Sequence, residues 1–98
     1  MAYSLEYLAL ADIDIAEAED YLFQHSPQAY DKFREAIKKQ EELLVDNPLM
    51  YQVYEDRPYF RRMGLPYKYI CFYHVDEDTQ LITVHRVLRG MRDIAGIL

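Results

Sequence analysis

Tyr69-Ile70-Cys71-Phe72-Tyr73-His74-Val75-Asp76-Glu77-Asp78-Thr79-Gln80-Leu81-Ile82-Thr83-Val84-His85-Arg86-Val87-Leu88 is the stretch on which the fold turns. Aromatic and β-branched residues fill both ends, and the polar run Asp76-Glu77-Asp78-Thr79 separates them, which reads as two strands joined by a turn. With a similar run just upstream, the segments Tyr59 to Leu65, Tyr67 to Val75 and Gln80 to Leu88 form an antiparallel meander. If the four polar residues make the loop, Val75 faces Gln80, Tyr73 faces Ile82, Cys71 faces Val84 and Tyr69 faces Arg86. A one-residue slip would turn every side chain to the opposite face.

Working back from the meander, residues 48 to 58 show no clear period and read as a loop bounded by prolines. Before it come two helices. Ala11, Ile15, Ala18 and Leu22 recur at three- and four-residue steps, so Ala9 to His25 is amphipathic. Ser26-Pro27 marks a restart, because Ser caps free amides and Pro is pre-set for a first helical turn. Tyr30, Phe33, Ile37 and Leu44 line one side of the second helix, and Asn47-Pro48 stops it. At the start, Tyr3, Leu5 and Tyr7 alternate as in a strand, and at the end Ile94 to Leu98 is apolar enough to dock back. The expected architecture is α+β: one domain over residues 1–98, ordered β-α-α-β-β-β, with a helix hairpin packed on an antiparallel sheet of about four strands.

Bulk properties narrow the function classes. A net charge of -6 excludes general affinity for nucleic acid, which draws on clustered Lys and Arg. The charge is uneven, however. Residues 1–56 hold four Lys/Arg against thirteen Asp/Glu, whereas residues 57–98 hold seven against four. A basic, strand-rich part can still offer a local site for an anion, and two solvated faces of opposite sign fit the pattern equally well. Ten tyrosines without a tryptophan predict rings at the core's edge with hydroxyls reaching water. The lone Cys71 forms no internal disulfide, no run approaches the roughly 20 apolar residues of a membrane span, and no signal peptide is evident. The expected setting is cytoplasmic, with no membrane partner.

Five arginines fall on or just after predicted strands: Arg61, Arg62, Arg86, Arg89 and Arg92. Guanidinium groups around one cleft bind phosphodiester oxygens and stabilise charge on a phosphorus under attack. RNA cleavage through its own 2′-hydroxyl needs little else beyond orientation and a proton acceptor and donor. Arginines capping a sheet edge, pairing with acidic helices and covering tyrosines would give the same spacing. His25, His74 and His85 make no metal set, His74 and His85 being roughly 13 Å apart at strand rise. His85 beside Arg86 is either an acid-base group or a packed histidine. Asp12, Asp14, Glu17, Glu19 and Asp20 read as a solvated helix face. Cys71 shows no activation, and three glycines cannot build a phosphate loop. No metal or cofactor is expected.

The chain resembles the RelE/ParE superfamily of toxins from type II toxin-antitoxin modules, often called plasmid stabilisation proteins. Asp14-Ile15, Ala18 and Asp20-Tyr21-Leu22 look like that family's first helix, and Asn47-Pro48 is similar to its helix stop. More specific are Phe60-Arg61-Arg62, Tyr69 to Asp76, and Ile82 to Asp93, which ends in a basic Gly-x-Arg-Asp turn. The resemblance implies a bacterial growth-arresting toxin with a cognate antitoxin as partner. The target is then DNA gyrase, as for ParE, or the ribosome with mRNA, as for RelE. It assigns Arg61 or Arg62 and Arg86 to the scissile phosphate of a metal-independent endoribonuclease, and Arg89, Arg92 and Asp93 to target contact. Nuclease members carry a His-Tyr or Tyr near the end, whereas Arg89-Gly90 stands there and no tyrosine follows Tyr73. The reading therefore leans to gyrase inhibition without catalysis. RelE-like cleavage of mRNA and a degenerate, non-toxic binding partner are the alternatives, and the oligomeric state stays open.

Overall fold

The computed structural model describes residues 2–90 and 94–98. The chain runs β1 (Ser4–Tyr7), α1 (Ala9–His25), α2 (Pro27–Asp46), β2 (Arg61–Gly64), a 3-10 turn at Pro66–Lys68, β3 (Tyr69–Asp76), β4 (Leu81–Arg89) and a short closing helix, α3 (Ile94–Ile97). Local chemistry sets the helix ends. Ser26 lies in an extended conformation between the two helices, and its Oγ accepts from the Ala29 amide at 3.3 Å. Because one residue separates the helices, the chain must double back. α2 ends at Asn47, whose amide and Nδ2 both donate to the Leu43 carbonyl, at 2.9 and 3.2 Å. Pro48 cannot continue the ladder.

The four strands stand in the order β1-β4-β3-β2. β2, β3 and β4 are antiparallel neighbours as expected, but β1 pairs with β4 in parallel, Ser4 to Tyr7 against Leu81 to Val84. The sheet is therefore mixed. A parallel neighbour needs a long crossover, which the helix hairpin and the strands after it supply.

The register differs from the expected one. Val75 faces Ile82, Tyr73 faces Val84, Cys71 faces Val87 and Tyr69 faces Arg89. The shift is two residues near the turn, because Asp76 belongs to β3 and pairs with Leu81. Asp76 Oδ1 accepts from the amides of Asp78 and Thr79 at 3.0 and 3.2 Å, and Gln80 closes the loop in the left-handed region at φ 56°. Those two amide bonds, Thr79's the more effective, hold the Asp76 carboxyl below its ordinary range. An even shift preserves the faces. A β-bulge between Phe72 and Tyr73 then adds one residue on β4, so the buried row runs Ile82, Val84, Val87 and not on to Arg86.

Both helices cover one face of the sheet. Ala11 and Ala18 are fully buried and let α1 approach closely, while Phe33 and Leu44 of α2 fill the space above Met63, Cys71, Tyr73, Ile82 and Val84. Ile15 is only partly buried; Asp14 takes the buried position beside it. Three tyrosine hydroxyls end on protein acceptors: Tyr7 donates to Glu41 at 2.7 Å, Tyr73 to the Pro48 carbonyl at 3.1 Å, and Tyr51 to Gln40. Burial and the Glu41 contact push the Tyr7 phenol far up, and burial does the same to Tyr73.

On the opposite face a smaller cluster joins Phe60 and Phe72 to Ile94, with Tyr54, Ile70, Leu88 and Leu98 at its rim. The C-terminal segment thus docks back as expected. Arg57 fixes it by donating to the carbonyls of Ala95 and Leu98, at 2.8 and 3.3 Å. Gly90 sits where the chain leaves β4, and its amide bonds the Lys68 carbonyl. A Cβ there would lie 3.1 Å from that carbonyl oxygen and 3.2 Å from Ile70 Cδ1, so any larger residue would press these neighbours back by a few tenths of an ångström.

Candidate functional site

Arg86 is tied down. β1 pairs only as far as Val84, so beyond it the outer edge of β4 meets α1. There Asp14, 8% exposed, accepts from Arg86 Nε at 2.7 Å, from Arg86 Nη2 at 3.0 Å and from the Val87 amide at 3.0 Å. The planar guanidinium is matched on two donors by one carboxylate, which raises its proton affinity and leaves less of its edge for a phosphate. The reading of Asp12 and Asp14 as one solvated face is corrected: Asp12 is exposed, and Asp14 is the most buried charge among the described residues. Its place one helical turn from Ala11 and from Ala18, inside the apolar row, is the sequence signal that marks it.

Arg61 and Arg62 point to different surroundings. β2 begins after β3 has run on to Asp76, so His74 to Asp76 lack a strand on that side. A cleft of about 470 Å³ opens there, lined by Val53, Tyr59, Arg61, His74, Asp76 and Glu77 among others. Arg61 donates to the Tyr51 carbonyl at 2.7 Å. Arg62 lies across β3 from Arg86 in register, Arg62 to Phe72 to Arg86, yet its guanidinium sits 5.9 Å from the Tyr54 ring centre. It lines a second cleft of about 420 Å³ with Asp56, Phe72 and Ile94. The three arginines do not share a cleft among the described residues.

Tyr59, which sequence reasoning did not single out, organises the histidines. Its ring stacks on His74 at 3.8 Å and 6°, and meets His85 edge-on at 5.8 Å; Phe60 packs on His85 at 5.0 Å. Burial first, and His74 second, hold the His85 imidazole below its usual range, so it is neutral at pH 7. One aromatic cluster therefore links two histidines expected to lie far apart. The Cys71 thiol is pushed up to about 12 by burial, so it stays protonated.

Arg89 ends β4 opposite Tyr69, and its guanidinium lies 5.2 Å from the Tyr21 ring centre on α1. The Tyr21 hydroxyl, hydrogen-bonded to it, stabilises the charged form. Arg92 and Asp93, the other residues assigned to target contact, lie outside the described residues.

A helix hairpin on one face of a four-stranded mixed sheet, in the order β-α-α-β-β-β, is the α+β fold of known toxin-antitoxin chains. A chain of the chromosomal ParDE toxin-antitoxin system of P. aeruginosa superimposes with a TM-score of 0.71 at 19% identity, over 92% of this chain and 98% of that one. Chains of two toxin-antitoxin complexes behave alike. For RelBE2 of Mycobacterium tuberculosis the TM-score is 0.66 at 14% identity, over 91% and 99%; for RelBE of E. coli it is 0.63 at 20%, over 93% and 100%. No curated protein matches the sequence. Residues 5–94 match the family described as ParE toxin of type II toxin-antitoxin system, parDE, and the chain belongs to that family.

Proposed function

We propose that this toxin arrests growth by binding a protein target, DNA gyrase, without cleaving RNA, and that a cognate antitoxin neutralises it. The observation that carries the reading is the Asp14–Arg86 pair, which occupies the late-strand arginine a nuclease would present to a phosphate. Three further features support it. Arg61 and Arg62 line separate clefts, no tyrosine follows Tyr73, and a net charge of -6 is poorly suited to a partner made largely of RNA. Arg89, Arg92, Asp93 and the helix hairpin are the parts proposed to meet the target. The related chains come from complexes with antitoxins, which supports the second partner.

Two assays test this together. Purified toxin is expected to inhibit supercoiling by gyrase, and its induction to trigger a DNA-damage response that co-expression of the neighbouring reading frame suppresses. Cleavage of ribosome-bound mRNA by wild type, abolished by Arg86→Ala or Arg61→Ala, would establish the endonuclease instead. Induction without growth arrest would point to a degenerate member.

A further inference from the structure

The loop that enters the sheet is closed on itself. The Tyr54 amide bonds the Phe60 carbonyl at 2.8 Å, the Arg57 amide the Tyr54 carbonyl at 3.0 Å, and the Phe60 amide the Arg57 carbonyl at 2.9 Å. Residues 54–60 are thus cross-braced, and they grip the rest of the molecule at two ends. At one end Arg57 donates to the carbonyls of Ala95 and Leu98. At the other, the Tyr59 ring lies flat on His74 and edge-on to His85, and His74 Nδ1 donates to the Tyr59 carbonyl at 2.9 Å.

α3 depends on that grip. It has four residues, where an isolated helix of even about 12 is marginal in water. Two things hold it: Ile94 is buried on Phe60 and Phe72, and the Arg57 cation sits at its last carbonyls, the end that a positive charge stabilises. Phe60 belongs to the loop, and the Arg57 guanidinium lies 5.8 Å from its ring centre. Hook and apolar seat therefore come from the same loop.

We infer that residues 54–60 are a pH-sensitive strap: with His85 uncharged, Tyr59 is fastened and Arg57 keeps α3 on the sheet, and charging His85 frees the loop and α3 together. His85 is packed against both Tyr59 and Phe60, and burial first, then His74, hold its imidazole below the usual range. β3 supplies His74 and, beyond it, Asp76; β1 supplies Glu6, two strands from His74 through Thr83. On β4 the next residue, Arg86, is bound to Asp14, and Arg61 of β2 lines the cleft of His74 with Glu77 and Asp78. Among the described residues no carboxylate pairs with either histidine. A cation at His85 is thus left without a counter-ion, whereas His74 donates from Nδ1 in both of its protonation states. The fastened state takes up the His85 proton less readily than the open one. It is favoured above the ordinary imidazole range and loses ground as pH falls through it. Release would uncover Phe72, Ile70 and Leu88 and widen the cleft of Arg62, which Ile94 and Ala95 help to wall.

Nuclear magnetic resonance on the full chain, from about pH 7.5 to 5, tests this by following the His85 ring proton beside the contacts of Ile94 with Phe60 and Phe72. The ratio of released to seated α3 should rise by up to about tenfold per pH unit, in step with His85, while the Phe33–Tyr69 contact on the helix side persists. His85→Gln should keep Ile94 seated across the range, and His74→Gln, which removes the like charge, should shrink the response. Arg57→Ala should release α3 at pH 7.5 with Tyr59 still on His74. Ile94 contacts that survive the His85 titration in wild type overturn the inference, whatever the variants do. So do an equal loss in His85→Gln, a seated α3 in Arg57→Ala, or simultaneous loss of the Phe33–Tyr69 contact, which would be acid unfolding of the whole domain.

Discussion

On the helix side of the sheet, Phe33, Leu44, Tyr73, Ile82 and Val84 are all but sealed from water, and each is touched by residues from several elements. On the other side, Phe60 and Phe72 are covered by Ile94 and a short tail, and beside them opens a cleft that holds Arg62 and Tyr54, while Arg61, in register with Tyr73, lines a separate cleft with Tyr59. The first face has no room to change; the second keeps guanidinium groups and aromatic edges at the surface. The contrast teaches that the sealed core and the open clefts fall on different parts of one sheet, with the Asp14–Arg86 pair at the β4 edge between β4 and α1.

The largest test of that contrast is Phe33→Ala, expected to cost about 3–5 kcal/mol in urea unfolding, since a wholly enclosed ring leaves a cavity. Asp14→Ala should follow at about 3 kcal/mol, because it strands a partly buried guanidinium and the Val87 amide. The same variant frees Arg86: should it gain mRNA cleavage on ribosomes that wild type lacks, the pair is what suppresses nuclease chemistry. Ile94→Ala on the second face is expected at the low end for such truncations, about 2 kcal/mol, with little change in the helices' hydrogen exchange. A cost equal to that of Phe33→Ala would erase the distinction between the faces.

Two smaller effects sharpen it. Gln80→Gly relieves a left-handed φ of 56° and should stabilise by up to about 1 kcal/mol, read as a raised midpoint at unchanged denaturant slope. His85 has a folded-state pKa below its unfolded value. The unfolded chain therefore takes the proton first as pH falls, so the stability is present above the unfolded value and is lost as pH drops through it toward the folded one. His85→Gln should flatten the stability profile between about pH 7 and 5; an unaltered slope would mean that the imidazole is as well solvated folded as unfolded.

Much of the fold was legible because its signals are local. Ser26-Pro27 and Asn47-Pro48 set the helix ends through capping and the missing proline amide, and the structure has its boundaries there. The strands were legible as composition, though shorter or shifted at their ends: β2 spans Arg61–Gly64, not Tyr59 to Leu65. Register was not, since Asp76 joins β3, Gln80 adopts a left-handed turn and His85 is the extra residue of a bulge. Of the candidate site, the arginines were found by type, but their partners were hidden: Asp14 lies 72 residues from Arg86.

What the sequence determined by itself is the order of elements, the helix hairpin and the acidic character of α1, because propensity, capping and periodicity act over a few residues. Only the tertiary structure decided that β1 runs parallel to β4, that Arg86 is held by Asp14 and that Tyr59 joins two histidines. Those depend on packing between distant segments, where a shift of one residue changes which groups meet.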